Sequence, residues 1–354
     1  MDVPHGNALA ASYIPAMVPL SILDLAPVSE GSDVGTALRN ARSLAQAGER
    51  LGFRRFWMAE HHSMPGIASA ATAVALGHVA EGTQRIRIGA GGIMLPNHSP
   101  LQVAEQFGTL EALFPGRVDL GLGRAPGTDQ AAAYAMRRNL NADVGQFPRD
   151  VLELQAYFRQ AEPGQRVRAI PGEGQNVPLW ILGSSTFGAE LAAELGLPYA
   201  FASHFAPQQM MEAIALYRGR FKPSAQLAAP YVMLGFNVFA ADSDEEGELL
   251  ATSLMQAFVA LRSGTPGRLK PPLPGYADTL PLEFRAMLKA VLGSSAIGSP
   301  ETVKARTEAF VARTGADELM ITSQIFDHQA RIRSYELLAD VFETRAASAK
   351  ALTA

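Results

Sequence analysis

From Pro19 almost to its end, the chain alternates short apolar runs with longer amphipathic ones, and this alternation constrains the fold more than any single motif. Short apolar runs bounded by turn residues read as buried strands, and runs of 3.6-residue period read as helices. Their strict succession is the pattern of βα units around a parallel sheet. The strands are expected at Leu20–Leu25, Arg55–Glu60, Ile86–Ala90, Val118–Gly123, Leu179–Gly183, Ala200–Ser203, Tyr231–Phe239 and Glu318–Thr322. Helices are expected between and after them, at Val34–Leu51, Ser69–Glu81, Pro100–Leu113, Gly145–Gln160, Thr186–Leu195, Pro207–Phe221, Asp244–Ser263, Ser299–Thr314 and His328–Glu343. Eight strands, each followed by a helix, predict an α/β fold of the (β/α)8 TIM barrel type with insertions, rather than an open doubly wound sheet.

The reading divides 354 residues into an N-terminal arm (1–18), one barrel domain (19–345) and a C-terminal tail (346–354). Within the barrel, the Pro/Gly-rich stretch opening at Thr265 starts a segment, 265–298, that fits no regular βα unit and reads as an insertion and a candidate lid. Thr265 to Gly275 alone holds four prolines and two glycines. A net charge of −4 gives no basic field for nucleic acid. The chain has no cysteine, which excludes disulfides, thiolate metal sites and thiol nucleophiles and makes the cytoplasm the expected compartment. The uncharged stretch Val3–Leu23 is interrupted by prolines and precedes the first basic residue, Arg39, so neither a membrane span nor a secretory signal is expected there.

Barrel active sites lie at the C-terminal ends of the strands, so the residues closing each strand matter most. The second strand closes on Glu60-His61-His62. Successive strand residues face opposite sides, so one imidazole is expected at the mouth, the other beneath a loop, and no shared metal. Gly91-Gly92 interrupts the third strand ahead of Met94, which marks either a bulge serving closure or the close approach of a flat ligand. Arg124 closes the fourth strand. Gly183-Ser184-Ser185 leads from the fifth strand into a helix. The serines read alone as ordinary capping, but beside Arg124 they outline a phosphate site. His204 and Phe205 close the sixth strand and, with Met94, are candidate substrate-pocket residues.

Taken together, Phe56-Trp57-Met58-Ala59-Glu60-His61-His62, Ile88 to Pro96, the run His98 to Gly127 with Ala104-Glu105-Gln106 and Pro115-Gly116-Arg117, Leu182 to Ser185, and Ala192 to Pro198 resemble the bacterial luciferase-like flavin monooxygenases. The resemblance is to the homo-oligomeric branch of luciferase-like oxidoreductases. It implies a barrel holding reduced FMN at its C-terminal mouth, supplied by a separate, transiently bound flavin reductase. It also implies reaction with O2 to a C4a-hydroperoxyflavin that oxygenates an apolar small molecule such as an aldehyde. In this family His61 aligns with the catalytic histidine, Gly91 and Gly92 with a bulge against the flavin ring that often carries a non-proline cis peptide, and Arg124 with Gly183, Ser184 and Ser185 with the FMN phosphate site. Gly123 and Ser184 stand where the luciferase α chain has a cysteine and a carboxylate, so light emission is not implied. The resemblance also implies a homodimer. Two other readings stay open: a deazaflavin-dependent hydride-transfer enzyme of the same superfamily, and a flavin-binding protein without turnover.

Overall fold

The computed structural model describes residues 18–125, 130–136 and 144–344; the expected arm up to residue 17, the tail 346–354 and Pro126-Gly127 lie outside them. Nine parallel strands form: β1 (Leu20–Asp24), β2 (Arg55–Met58), β3 (Arg87–Met94), β4 (Val118–Gly123), β5 (Leu179–Gly183), β6 (Tyr199–Phe201), β7 (Val232–Ala240), β8 (Ser295–Gly298) and β9 (Glu318–Thr322). Around them run α1 (Val34–Leu51), α2 (Thr72–Glu81), α3 (Pro100–Leu113), α4 (Gln130–Met136), α5 (Phe147–Phe158), α6 (Thr186–Leu195), α7 (Met210–Arg220), α8 (Asp244–Arg262), α9 (Leu282–Val291), α10 (Pro300–Thr314) and α11 (His328–Val341).

Strands β1 to β7 pair in sequence order, β7 then pairs with β9, and β9 pairs back with β1. The result is the closed eight-stranded (β/α)8 barrel. The eight expected strands are its staves. The ninth strand, β8, is a correction to the sequence reading, which placed no strand within 265–298. Nine residues long, β7 gives its first half to β6 and β9, and only its last four residues, Asn237–Ala240, to β8. The same segment also holds helix α9.

Alternation along the strands sorts the side chains into two cores. Leu23, Trp57, Ala59, Trp180, Ala200, Met233 and Met320 fill the barrel interior, where the Trp57 and Trp180 rings meet edge to face at 5.2 Å. Ile22, Phe56, Met58, Ile88 and Leu120 point outward into the larger core shared with the helices. A polar layer closes the N-terminal end. Arg55 bonds Asp119 at 2.6 Å and Glu318 at 3.0 Å, Arg87 bonds Asp119 at 2.7 Å, Tyr231 donates to Glu318 at 2.7 Å, and the Ser21 hydroxyl also donates to Glu318.

At the opposite end the Pro/Gly-rich stretch crosses to the loops that follow β1 and β2. Leu269 N–H donates to the Val28 carbonyl at 2.9 Å, and Glu30 N–H donates to the Leu269 carbonyl at 2.8 Å. A Cβ on Gly66 would sit 2.2 Å from the Gly267 carbonyl oxygen, so only glycine allows the two loops to touch there. Behind this crossing, α8, α9 and β8 enclose a separate small core that includes Phe239, Leu254, Phe258, Leu288 and Ile325.

Candidate active site

Strand β2 ends at Met58, two residues earlier than the sequence suggests, yet its pleat continues. Ala59 N–H donates to the Asp24 carbonyl at 3.1 Å and Glu60 N–H to the Gly92 carbonyl at 3.4 Å, which extends the ladder along both neighbours. Trp57 and Ala59 face the barrel interior, so the alternation carries His61 to the same side, at the mouth, and turns Glu60 and His62 outward. The outward pair finds a partner that the sequence reading left out. His62 Nε2 lies 2.6 Å from Glu60 Oε1, His98 Nε2 lies 2.9 Å from the same oxygen, and Met94 N–H donates to Glu60 Oε2 at 3.0 Å.

Glu60 is buried, and burial pushes its carboxyl up. The two imidazoles and the Met94 amide outweigh that effect and hold it below the usual glutamate range. Glu60, His62 and His98 are close enough together to offer ligand atoms to one cation. Each oxygen of Glu60 is already occupied by N–H donors, however, so the group acts as a hydrogen-bonded clamp tying the end of β2 to β3 and to the turn after it. His98 could have been found only by noticing a histidine just past a strand that neighbours Glu60.

Strand β3 bulges where its two glycines fall. Ala90 pairs with Leu120 and Ile93 with Leu122, so β3 spends one residue more than β4, and the Gly91–Gly92 peptide is cis. A Cβ on Gly91 would reach 2.8 Å from Leu23 and 3.1 Å from Trp57, inside the barrel. One on Gly92 would come 2.7 Å from the Gly121 carbonyl oxygen. Close packing therefore demands both glycines whatever else approaches them. Just beyond the bulge, Met94 is half-buried, and its sulfur lies where a Cβ on Gly123 would meet it at 2.8 Å.

Next around the mouth, Arg124 extends from the end of β4 over the Phe187 ring in the first turn of α6, with its guanidinium carbon 4.0 Å from the ring centroid. Ser185 is the N-cap residue of α6, but its side chain makes no capping bond, so the capping reading that the serines carry in isolation does not apply to Ser185. Asp33, Ser243, Ser299 and Asp327 cap α1, α8, α10 and α11 with their side chains, whereas α2, α3, α5, α7 and α9, like α6, start without one. Gly183 and Ser185 are half-buried and Ser184 is exposed, so the backbone entering α6 stays open to an anion.

Across the barrel, His204 follows β6 and is electrostatically coupled to His61. Burial, reinforced by repulsion from His61, pushes the His204 imidazole down to about 4. Phe205, 39% exposed, stacks on Phe258 of α8 with ring centroids 5.8 Å apart. The rim thus brings His61 and His204 into electrostatic reach of each other, sets Arg124 over the start of α6, and sends His62 to the outer side of the wall.

A sequence model described as luciferase-like monooxygenase matches residues 18–318. A luciferase-like monooxygenase of Escherichia coli (strain K12) is 49% identical over 326 residues, covering 92% of this chain and 97% of that one. The crystal structure of apo-MsnO8 superposes with a TM-score of 0.82 at 34% identity, over 93% of this chain and 99% of that one. The fold alone is shared with the FMN-bound oxygenating constituent of 3,6-diketocamphane monooxygenase of Pseudomonas putida (TM-score 0.66, 18% identity, 91% and 96% covered). It is likewise shared with an F420-dependent secondary alcohol dehydrogenase (TM-score 0.66, 15% identity, 93% and 99% covered). With the sequence match spanning most of the barrel, the chain belongs to the luciferase-like monooxygenase family.

Proposed function

We propose that the chain is a flavin-dependent monooxygenase that binds reduced FMN at the barrel mouth and uses it with O2 to oxygenate an apolar small molecule such as an aldehyde. The observation that carries this reading is the open N-terminus of α6 beneath Arg124. A helix N-terminus without a side-chain cap, together with an exposed guanidinium, suits a phosphate monoester. On this reading Arg124, Gly183, Ser184 and Ser185 hold the phosphate, and the side-chain-free wall at Gly91 and Gly92 takes the flat ring. When bound, reduced FMN would supply two electrons which, with two from the substrate, divide O2 between the oxygenated product and water.

The chain's own residues do the rest. The His61 imidazole holds or releases a proton at the mouth, where substrate and oxygen meet. Met94, His204 and Phe205 line the substrate side, and the Phe205–Phe258 stack with segment 265–298 excludes water, so that reduced flavin is not spent on peroxide. Kinship with the family supports three further parts of the proposal: a separate flavin reductase as the source of reduced FMN, a homodimer, and a cytoplasmic setting. Among the described residues no helix is long and apolar enough to cross a membrane.

Anaerobic titration with reduced FMN, reduced riboflavin and reduced F420 tests this reading. FMN should bind, and riboflavin, which lacks the phosphate, should bind at least about tenfold more weakly. Arg124→Ala should erase most of that difference. Equal affinity for FMN and riboflavin would refute the phosphate site, and tight binding of F420 in place of FMN would move the chain to the hydride-transfer reading.

A further inference from the structure

The His204 ring is held from two sides. Ser203 Oγ donates to the Gly235 carbonyl at 2.6 Å, and Asn237 Nδ2 donates to the His204 carbonyl at 2.9 Å, so the turn after β6 is fastened to β7. The ring then lies directly on Gly235. A Cβ built on that glycine would be 2.0 Å from His204 Nδ1, so any other residue at 235 would expel the imidazole. Nδ1 is fully enclosed and has no hydrogen-bond partner among the described residues. The residue as a whole is only partly buried, and Nε2, unlike Nδ1, is not among the enclosed unpartnered atoms.

This packing selects the tautomer. The hydrogen that replaces a Cβ on Gly235 points at Nδ1, and a nitrogen lone pair accepts that C–H contact. A proton on Nδ1 would instead face hydrogen against hydrogen and leave a buried N–H donor orphaned, which folded proteins rarely tolerate. The proton therefore sits on Nε2. Burial and the neighbouring His61 both oppose a second proton, while Gly235 and Asn237 of β7 bring no charge to the ring.

We propose that His204 is the specificity-determining residue of the mouth: locked as the neutral Nε2–H tautomer, it donates a hydrogen bond to an uncharged oxygen of the substrate and so favours substrates carrying such an acceptor over plain hydrocarbons and over carboxylates. A neutral donor offers a carboxylate no formal counter-charge for its lost hydration, and a hydrocarbon leaves the Nε2–H unpaired. This inference rests on the mouth being the substrate site of the monooxygenase.

The test starts from the flavin-free protein labelled at histidine with 15N, read by long-range proton–nitrogen NMR correlation. His204 should show the Nε2–H pattern, unchanged between about pH 5.5 and about pH 8.5. Acetophenone should shift the Nε2 resonance, whereas ethylbenzene and benzoate should not. His204→Gln, whose amide nitrogen can occupy the Nε2 position, should keep the preference for acetophenone over ethylbenzene within about threefold. His204→Asn and His204→Phe should lose about tenfold of it. An Nδ1–H tautomer, an imidazolium in that range, or an acetophenone response no larger than that of ethylbenzene would overturn the assignment. None of these readouts uses flavin, so a failed flavin titration would count against the proposed activity and not against the tautomer.

Discussion

Glu60 shows how one carboxylate organises the rim without facing it. Its oxygens hold His62, His98 and the Met94 amide, so the chain on either side is pinned and His61 is left on the mouth side. Glu60→Gln replaces one oxygen by a group that cannot accept from an imidazole N–H, and should cost about 2–3 kcal/mol in denaturant unfolding near neutral pH. The folded-state carboxyl titrates below its usual value of 4.5, so its stabilising effect is complete above that pH and is lost as the pH falls through the lowered value. The stability gap between wild type and Glu60→Gln should therefore be flat above about pH 5 and close on acidification. A gap that widened in acid would contradict the clamp. His204 shifts in the same direction for a different reason: burial keeps it neutral down to about 4, so between the ordinary histidine value of 6.5 and that point the unfolded chain takes up a proton that the folded one refuses. Acid should thus destabilise the wild type over that interval more than it does His204→Phe. Strand alternation put His61 and His62 on opposite sides without saying which faces the mouth, and only the family resemblance singled out His61. The clamp was not legible, because Glu60 meets His98 only through the turn that follows the β3 bulge.

At the scale of single elements, β3 shows why two adjacent glycines could not be assigned from sequence. A bulge for closure and a seat for a flat ligand require the same missing side chains, and the structure supplies the first reason in full. The two positions are not equivalent. A methyl on Gly92 meets the backbone of Gly121, which cannot move aside, whereas one on Gly91 meets only side-chain atoms, the end of Leu23 at 2.8 Å and Trp57 at 3.1 Å. Gly92→Ala should lower the melting temperature more than Gly91→Ala, and circular dichroism melts of the two variants would check the order. Equal shifts would mean that the bulge relaxes as a unit. Strand β8 escaped the sequence reading because four residues, Ser295–Gly298, are too short to show a period and pair only with the far end of β7. Helix α6 was legible in position but not in its open end, since a serine at an N-cap position normally bonds the first turn.

Over the whole molecule, the barrel is chemically divided between its ends. The N-terminal floor is a saturated ionic layer in which Arg55 serves both Asp119 and Glu318, two fully buried carboxylates. Burial alone would pull the Arg55 guanidinium down, but the two carboxylates more than offset it and raise it further. Removing that cation takes the close ionic partner of Glu318 and leaves Asp119 to Arg87 alone, so Arg55→Ala should destabilise by about 3–5 kcal/mol while leaving the mouth groups in place. A loss under about 1 kcal/mol would show that water or Arg87 compensates. The C-terminal mouth instead gathers His61, a His204 that burial keeps neutral, and a helix end without a side-chain cap. The barrel and its rim were legible because the strand period and the strand ends are local properties of the chain. The floor was not, because Arg55, Asp119 and Glu318 lie far apart in sequence and only closure joins them. The most direct test of the flavin-monooxygenase reading is rapid mixing of the anaerobic protein–reduced FMN complex with oxygenated buffer, following the return of oxidised-flavin absorbance. Bound FMN should reoxidise more slowly than free FMN, and His61→Ala should change that course; reoxidation at the rate of free FMN, indifferent to His61, would contradict it.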